Sequence, residues 1–326
     1  ISNWVICVKI MLRIVMTRLI FLVHVSYCWR TNTKLEYRAH VDGGALNHWE
    51  LARSLEEGEI AKSGTTIWLD VQVANARKDE QLKLNANGFE LLEHAPTKLT
   101  TSDFYDAEFV TEKYYQETEE ILKERFGAVG AFVYSHAVRN AEQVGSGASE
   151  APIQSYGLAP HVDVATHEAR EIIAGMTPYA EAKAGRSLQN CRVIYVNAWR
   201  NIDQIAPVSK FPLALLDATT VSAPDDFCLF RLETSLYGID QYRLLPSSQH
   251  QWYYYPNMTY DELLVFKQYD TDLAAPARFC FHSAFEPQNA DAPNQQGIEC
   301  PSSTADQSPI RQSIEVRTLL YFEEEG

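Results

Sequence analysis

No two of the six cysteines stand as a CxxC pair, and Cys7, Cys28, Cys191, Cys228, Cys280 and Cys300 are spread along the chain. That spacing offers neither a structural zinc site nor the dense bridges of a small disulfide scaffold. It points to a reducing, cytoplasmic setting. Positive charge is scarce: 28 Lys and Arg against 43 Asp and Glu leave a formal net charge of −15. Such an acidic surface repels phosphate backbones and argues against nucleic acid as a partner. Small neutral substrates, or anions steered by a local field, stay open to it. Long uncharged apolar runs are missing as well. "ISNWVICVKIMLRIVMTRLIFLVHVSYCWR" is apolar, yet Lys9, Arg13, Arg18 and His24 break it. A spanning helix needs roughly 18 uninterrupted apolar residues. No convincing A-x-A site follows the apolar stretch. Residues 1–32 therefore read as an extension foreign to the fold, with a membrane-surface anchor or a signal peptide as alternatives. Internal repeats are absent too.

What remains suits one domain over residues 33–326, α+β in class but mainly β. "TTIWLDVQV" (65–73) and "GFELLEH" (88–94) read as strands. "DAEFVTEKYYQETEEILKERFG" (106–127) reads as a helix, with Asp106 as cap, a stripe of Phe109, Val110, Tyr114, Ile121 and Leu122, and Gly127 as stop. A strand over 128–139 and a short helix over 167–175 follow. Strand-like runs then continue at 191–200, 211–221, 227–234, 250–256, 262–270, 277–285 and 311–322. A β series of this kind, from about 128 to 326 after an αβ N-terminal part, suggests a barrel or jelly roll with helical support. One long loop, 286–310, interrupts it; a loop of that length is commonly a lid or an insertion.

The triplet His-Val-Asp occurs twice, at 40–42 and at 161–163. The first runs into Gly43-Gly44, a turn signal, and is assigned no chemistry. The second opens the β series. Side chains two apart on a strand point the same way, so His161 and Asp163 can converge on one metal ion. A third ligand has to come from another strand. In "ARFCFHSAF", alternation puts Arg278, Cys280, His282 and Ala284 on one face, where small neighbours leave room for His282; His250 in "HQWYYYP" is the alternative. In "RQSIEVR", Arg311, Ser313, Glu315 and Arg317 share a face. Arg-x-Ser suits a carboxylate: the guanidinium gives a fork and the hydroxyl a further donor. In "CRVIYVNAWR", Tyr195, Asn197 and Trp199 share a face, which makes Asn197 and Tyr195 candidates for hydrogen-bonding a cosubstrate or lining a substrate pocket. Arg200 falls on the other face. His136 and Arg139 are candidates for the pocket mouth. Each candidate has a plain alternative: a core or capping His, or a structural ion pair.

The order His-x-Asp, His, Arg-x-Ser on successive β elements is the pattern of iron(II)/2-oxoglutarate oxygenases, in which two His and one carboxylate leave iron positions open. Together "VNAWRNI", "PLALLDATTV", "HQWYYYPNMTYDELLVFKQYD", "HSAF" and "RQSIEVR" resemble the fungal and bacterial family that includes gibberellin desaturase, the AsaB-type hydroxylase/desaturases and the CmcJ component of cephamycin methoxylation. "NGFELLEH" and "FGAVGAFVYSHAVR" fit its N-terminal half, so the likeness runs from about Lys34 to Phe322. The resemblance implies a double-stranded β-helix (jelly-roll) core with flanking N-terminal helices and strands. It implies an oxidoreductase of secondary metabolism that uses Fe(II), 2-oxoglutarate and dioxygen on a small-molecule substrate. By the same likeness His161, Asp163 and His282 match the metal ligands, and Arg311 and Ser313 the cosubstrate clamp. The loop 286–310 looks longer than the family's connection. Two alternatives to this function are a catalytically silent β-helix binding protein and an iron oxidase that does not use 2-oxoglutarate. Oligomeric state and substrate are not legible.

Overall fold

The computed structural model describes residues 30–38, 66–144, 153–223, 225–233, 238–287 and 309–323. The first His-Val-Asp triplet and most of the loop 286–310 lie outside them. The strands, in chain order, are β1 (Arg30–Arg38), β2 (Thr66–Asn75), β3 (Phe89–Leu92), β4 (Gly130–Arg139), β5 (His161–Val162), β6 (Arg192–Asn201), β7 (Leu213–Leu216), β8 (Phe227–Glu233), β9 (Gly238–Leu244), β10 (Trp252–Tyr254), β11 (Leu263–Asp270), β12 (His282–Ala284) and β13 (Ser313–Phe322). Among the described residues they form an eight-stranded sheet, ordered β1-β2-β10-β7-β12-β5-β9-β8, and a five-stranded sheet, ordered β3-β11-β6-β13-β4. The chain is thus mainly β.

The two sheets share a core. Tyr195, Tyr269 and Leu319 of the smaller sheet pack with Leu216, Tyr242 and Trp252 of the larger one. Two helices cover the smaller sheet: α1 (Tyr115–Phe126) and α2 (Thr166–Ala184). Leu122 of α1 and Tyr114 just before it pack onto Val196, Ile314 and Val316. With both faces covered, β11 is buried at every residue, and its buried Lys267 is paired with Asp270 at 2.6 Å. Buried Arg200 pins β6 to this outer layer: its guanidinium donates to Tyr114 Oη (3.0 Å), the Tyr260 carbonyl (2.7 Å) and the Ala95 carbonyl (2.6 Å).

Several elements depart from the sequence reading. Strand β1 begins at Arg30, inside the stretch assigned to the extension, and alternates exposed and buried from its first residue. The helix expected over 167–175 runs to Ala184 through Pro178, and Gly185 stops it in the left-handed region at φ 65°. Packing of Ala169 and Ala180 in the core outweighs the local stop signal. The expected strand over 211–221 ends at Leu216, because Asp217 caps a tight turn by accepting from the Thr219 amide at 3.0 Å. In "ARFCFHSAF" the pairing is confined to His282–Ala284. Phe279 and Phe281 instead enter an aromatic cluster with Phe227. Phe109 leaves the expected stripe and is 37% exposed. A π-helical turn over Val110–Tyr114 shifts the helical phase after it.

Candidate metal centre and active site

The site lies where the two sheets face one another. Strand β12 pairs with β5 so that His282 stands opposite His161, and their rings lie 4.4 Å apart, centroid to centroid. The His161 Nδ1 donates to the Ala159 carbonyl at 2.7 Å, and His282 Nδ1 lies 3.3 Å from the Cys280 carbonyl. Those bonds leave both Nε2 lone pairs turned inward. Nε2 of His161 is 3.3 Å and Nε2 of His282 is 3.6 Å from Asp163 Oδ1. The three ligand atoms lie within 4.8 Å of one another. Gly157 comes so close to His161 that a Cβ would sit 3.1 Å from the ring.

The far side of the carboxylate is held by protein. Asn197 Nδ2 donates to Asp163 Oδ2 at 2.8 Å, Arg317 Nε lies 3.5 Å from the same oxygen, and the Asp163 amide donates to Gln268 Oε1 at 2.8 Å. Burial alone would raise the Asp163 carboxyl, but the His161 hydrogen bond and the Arg317 and His282 charges hold it well below the usual carboxylate range. Burial, then repulsion from His161, pulls His282 down to about 3. An anionic Asp163 carboxylate beside a His282 imidazole that resists protonation suits a divalent transition metal.

Arg311 and Ser313 sit at the start of β13, both buried. The Arg311 guanidinium lies 4.1 Å over the Tyr156 ring and 5.5 Å from that of Trp199. Its Nη1 donates to the carbonyl of Phe211, a residue held in the left-handed region at φ 48°. Among the described residues, Nε and Nη2 of Arg311, Oγ of Ser313 and Nε1 of Trp199 are buried without a partner. Burial pulls the Arg311 guanidinium down to about 9. Unsatisfied buried donors are costly, and a carboxylate fits this set.

The other sequence candidates divide. Tyr195 is buried and accepts a 2.6 Å hydrogen bond from Tyr134; both line the cavity beside His161 and Asp163. A β-bulge at Tyr134 lets it and Ser135 both reach that cavity. Arg139 lines it too. His136 does not: it points to the outer layer and hydrogen-bonds Tyr115 Oη at 2.8 Å. His250 lies apart from the three ligands, 3.1 Å from Asp226 and stacked on Tyr37. Arg317 and Gln268 were not singled out from sequence. Arg317 shares the face of Arg311 by alternation, which was a usable signal. Gln268 has none, because a bulge between Lys267 and Tyr269 turns it inward.

A second cluster of possible ligands, His167, Glu168 and Asp240, stands on the N-terminal turn of α2 and on β9. Its charges are met within the protein. Arg231 reaches Asp240 at 3.1 Å and Glu168 at 3.7 Å, and His167 bonds Asp240 at 2.8 Å.

A family model described as an oxidoreductase/YMDC permease-like domain matches residues 35–321. The chain belongs to this family. Its curated relatives are fungal. Hydroxylase/desaturase efuI of Hormonema carpetanum is 30% identical over 90% of this chain and 96% of its own length. Alpha-ketoglutarate-dependent dioxygenase tstK of Talaromyces stipitatus is 29% identical over 74% of this chain and 81% of its own. Among solved structures, the iron and alpha-ketoglutarate-dependent endoperoxidase NvfI superposes with a TM-score of 0.65 over 91% of this chain and 99% of its own, at 18% identity, so the fold is shared. This family member is an oxidoreductase. No helix among its described residues is long and apolar enough to cross a membrane.

Proposed function

We propose that this oxidoreductase is an iron(II)- and 2-oxoglutarate-dependent hydroxylase or desaturase of a small metabolite, built on a double-stranded β-helix. The observation that carries the reading is the meeting of His161 Nε2, Asp163 Oδ1 and His282 Nε2 on one side of a buried carboxylate. Strands that alternate between the sheets support the β-helix: β4, β6, β11 and β13 lie in one, β5, β7 and β12 in the other.

In this reading His161, Asp163 and His282 hold Fe(II). The iron, with dioxygen and 2-oxoglutarate, supplies the oxidation of an unactivated C–H bond. The chain positions and excludes. Arg311 Nε and Nη2 and Ser313 Oγ take one carboxylate of 2-oxoglutarate, which satisfies donors otherwise stranded in the core. Trp199 and Tyr156 flank the guanidinium and keep water from it. Asn197 serves Asp163, to which its amide nitrogen donates. Tyr195 and Tyr134 form part of the wall that the substrate meets.

The test is anaerobic addition of Fe(II) and 2-oxoglutarate to folded protein. A weak visible metal-to-ligand band is expected, along with succinate formation on exposure to air. No band in well-folded protein overturns the reading. Arg311→Ala is expected to raise the 2-oxoglutarate requirement by roughly two orders of magnitude, the scale of one lost charge-assisted contact. Unchanged dependence would favour an oxidase that does not use 2-oxoglutarate.

A further inference from the structure

The cavity above the metal ligands has a volume of about 510 Å³ and is walled partly by apolar side chains, among them Val164, Ile172, Leu232 and Ile239. Three arginines also line it. Two are committed. Arg317 lies 3.5 Å from Asp163 and 3.4 Å from Glu315. Arg139 lies 3.9 Å from Glu315 and donates to the Ser155 carbonyl at 2.8 Å.

Arg243 is different. It stands on β9 directly across from His161 on β5, so the two side chains leave the sheet on the same face as near neighbours. Among the described residues its Nη1 donates to the Ala159 carbonyl, at 3.2 Å, while its Nε is buried without a partner. Its guanidinium lies 4.9 Å from the centre of the Phe230 ring, over which Arg38 sits at 4.4 Å. Among the described residues no carboxylate forms an ion pair with it. Glu36, on the same wall, lies beyond ion-pair reach, and Arg38 offsets its charge. Burial, then Arg38, pulls Arg243 down to about 10, so it stays cationic at neutral pH. Gln241, two residues along the same face, is buried and lines the cavity. A half-buried cation with no ion-pair partner among the described residues, on the wall of a cavity that polar and apolar side chains share, is built to receive an anion.

We propose that Arg243 determines specificity here, and that the substrate is a small carboxylic acid with an apolar portion, whose carboxylate docks on Arg243 beside Gln241. The inference rests on the oxygenase reading for what happens to that acid, but not for its binding. The carboxylate fixes one end of the molecule one strand away from His161, and the apolar body then lies across the metal ligands.

The same guanidinium chemistry would also take a carboxylate of 2-oxoglutarate, so the experiment separates the two. The full-length protein is loaded anaerobically with Fe(II) and 2-oxoglutarate and titrated by calorimetry with cyclohexylacetate and, in parallel, with its neutral isostere cyclohexylacetamide. The acid is expected to bind about tenfold more tightly than the amide or better, the step of one charge-assisted contact. Arg243→Gln brings the two within about twofold of each other. Arg243→Lys, which keeps charge and stem, retains a preference for the acid and stands in if R243Q does not fold. Equal binding of acid and amide by the wild type, or binding of neither, overturns the proposal. So does a raised 2-oxoglutarate requirement in R243Q, which would assign Arg243 to the cosubstrate. If the visible band never forms, the oxygenase reading fails separately; acid and amide are then compared on the metal-free chain, and the same preference is expected.

Discussion

The amide of Asn197 donates to Asp163 Oδ2 at 2.8 Å, and this turns the other carboxylate oxygen, Oδ1, toward both imidazoles. Asn197 is thus a positioning residue. Partners of this kind typically change metal affinity by 10- to 100-fold, roughly, when removed. Asn197→Ala is expected to weaken Fe(II) binding by that factor in a chelator competition, with the thermal transition little moved. Asn197→Asp sets a like charge beside Asp163 and weakens it further. Equal iron affinity in all three proteins would remove the role.

The third ligand separates two histidines that look alike in sequence. His282 faces His161 across a strand pair, while His250 is held by Asp226 and stacked on Tyr37. His282→Ala is expected to abolish stoichiometric iron, and His250→Ala to retain it, as read by metal analysis of purified protein. Iron lost only from the His250 variant would reverse the assignment.

Period-two alternation carried most of what was legible. It put His161 with Asp163, Tyr195 with Asn197, and Arg311 with Ser313 on shared faces; His161 and Asp163 meet, and Tyr195 and Asp163's partner Asn197 lie on the same side of β6. It failed where the backbone departs from a regular strand. "ARFCFHSAF" pairs over only three residues, Gln268 is turned inward by a bulge, and Phe109, just ahead of the π turn, falls out of phase with the residues after it and is exposed. Strand β9 was missed because Gly238 and Asp240 depress its β signal, and with it the placement of Arg243 opposite His161. Local propensity carries no information about which strand will lie beside which.

Arg200 makes a stability prediction separate from chemistry. Its guanidinium is buried and donates to two carbonyls and a tyrosine hydroxyl. Arg200→Ala strands those acceptors and opens a cavity among Tyr114, Ala95 and Tyr260. A loss of roughly 3–5 kcal/mol is expected in urea unfolding, the scale for breaking a buried charged network. A loss under about 1 kcal/mol would mean that water replaces the side chain at little cost.

The His167–Asp240 pair gives stability a pH window. His167 titrates above its ordinary 6.5, first because it hydrogen-bonds Asp240. Burial acts to raise Asp240, but His167 and Arg231 hold it below its ordinary 3.8. A raised histidine adds stability that is complete below its unfolded value and fades as pH rises through the folded one. A lowered carboxylate adds stability that is complete above its unfolded value and fades as pH falls through the folded one. The pair therefore contributes fully between about pH 4 and 6.5 and loses its histidine part above that. His167→Gln keeps a polar partner for Asp240 but cannot titrate. Its urea midpoint is expected to fall below that of the wild type at pH 6, and the gap to narrow by pH 8. A constant gap across that range would show that the His167 charge contributes nothing and that its hydrogen bond alone matters.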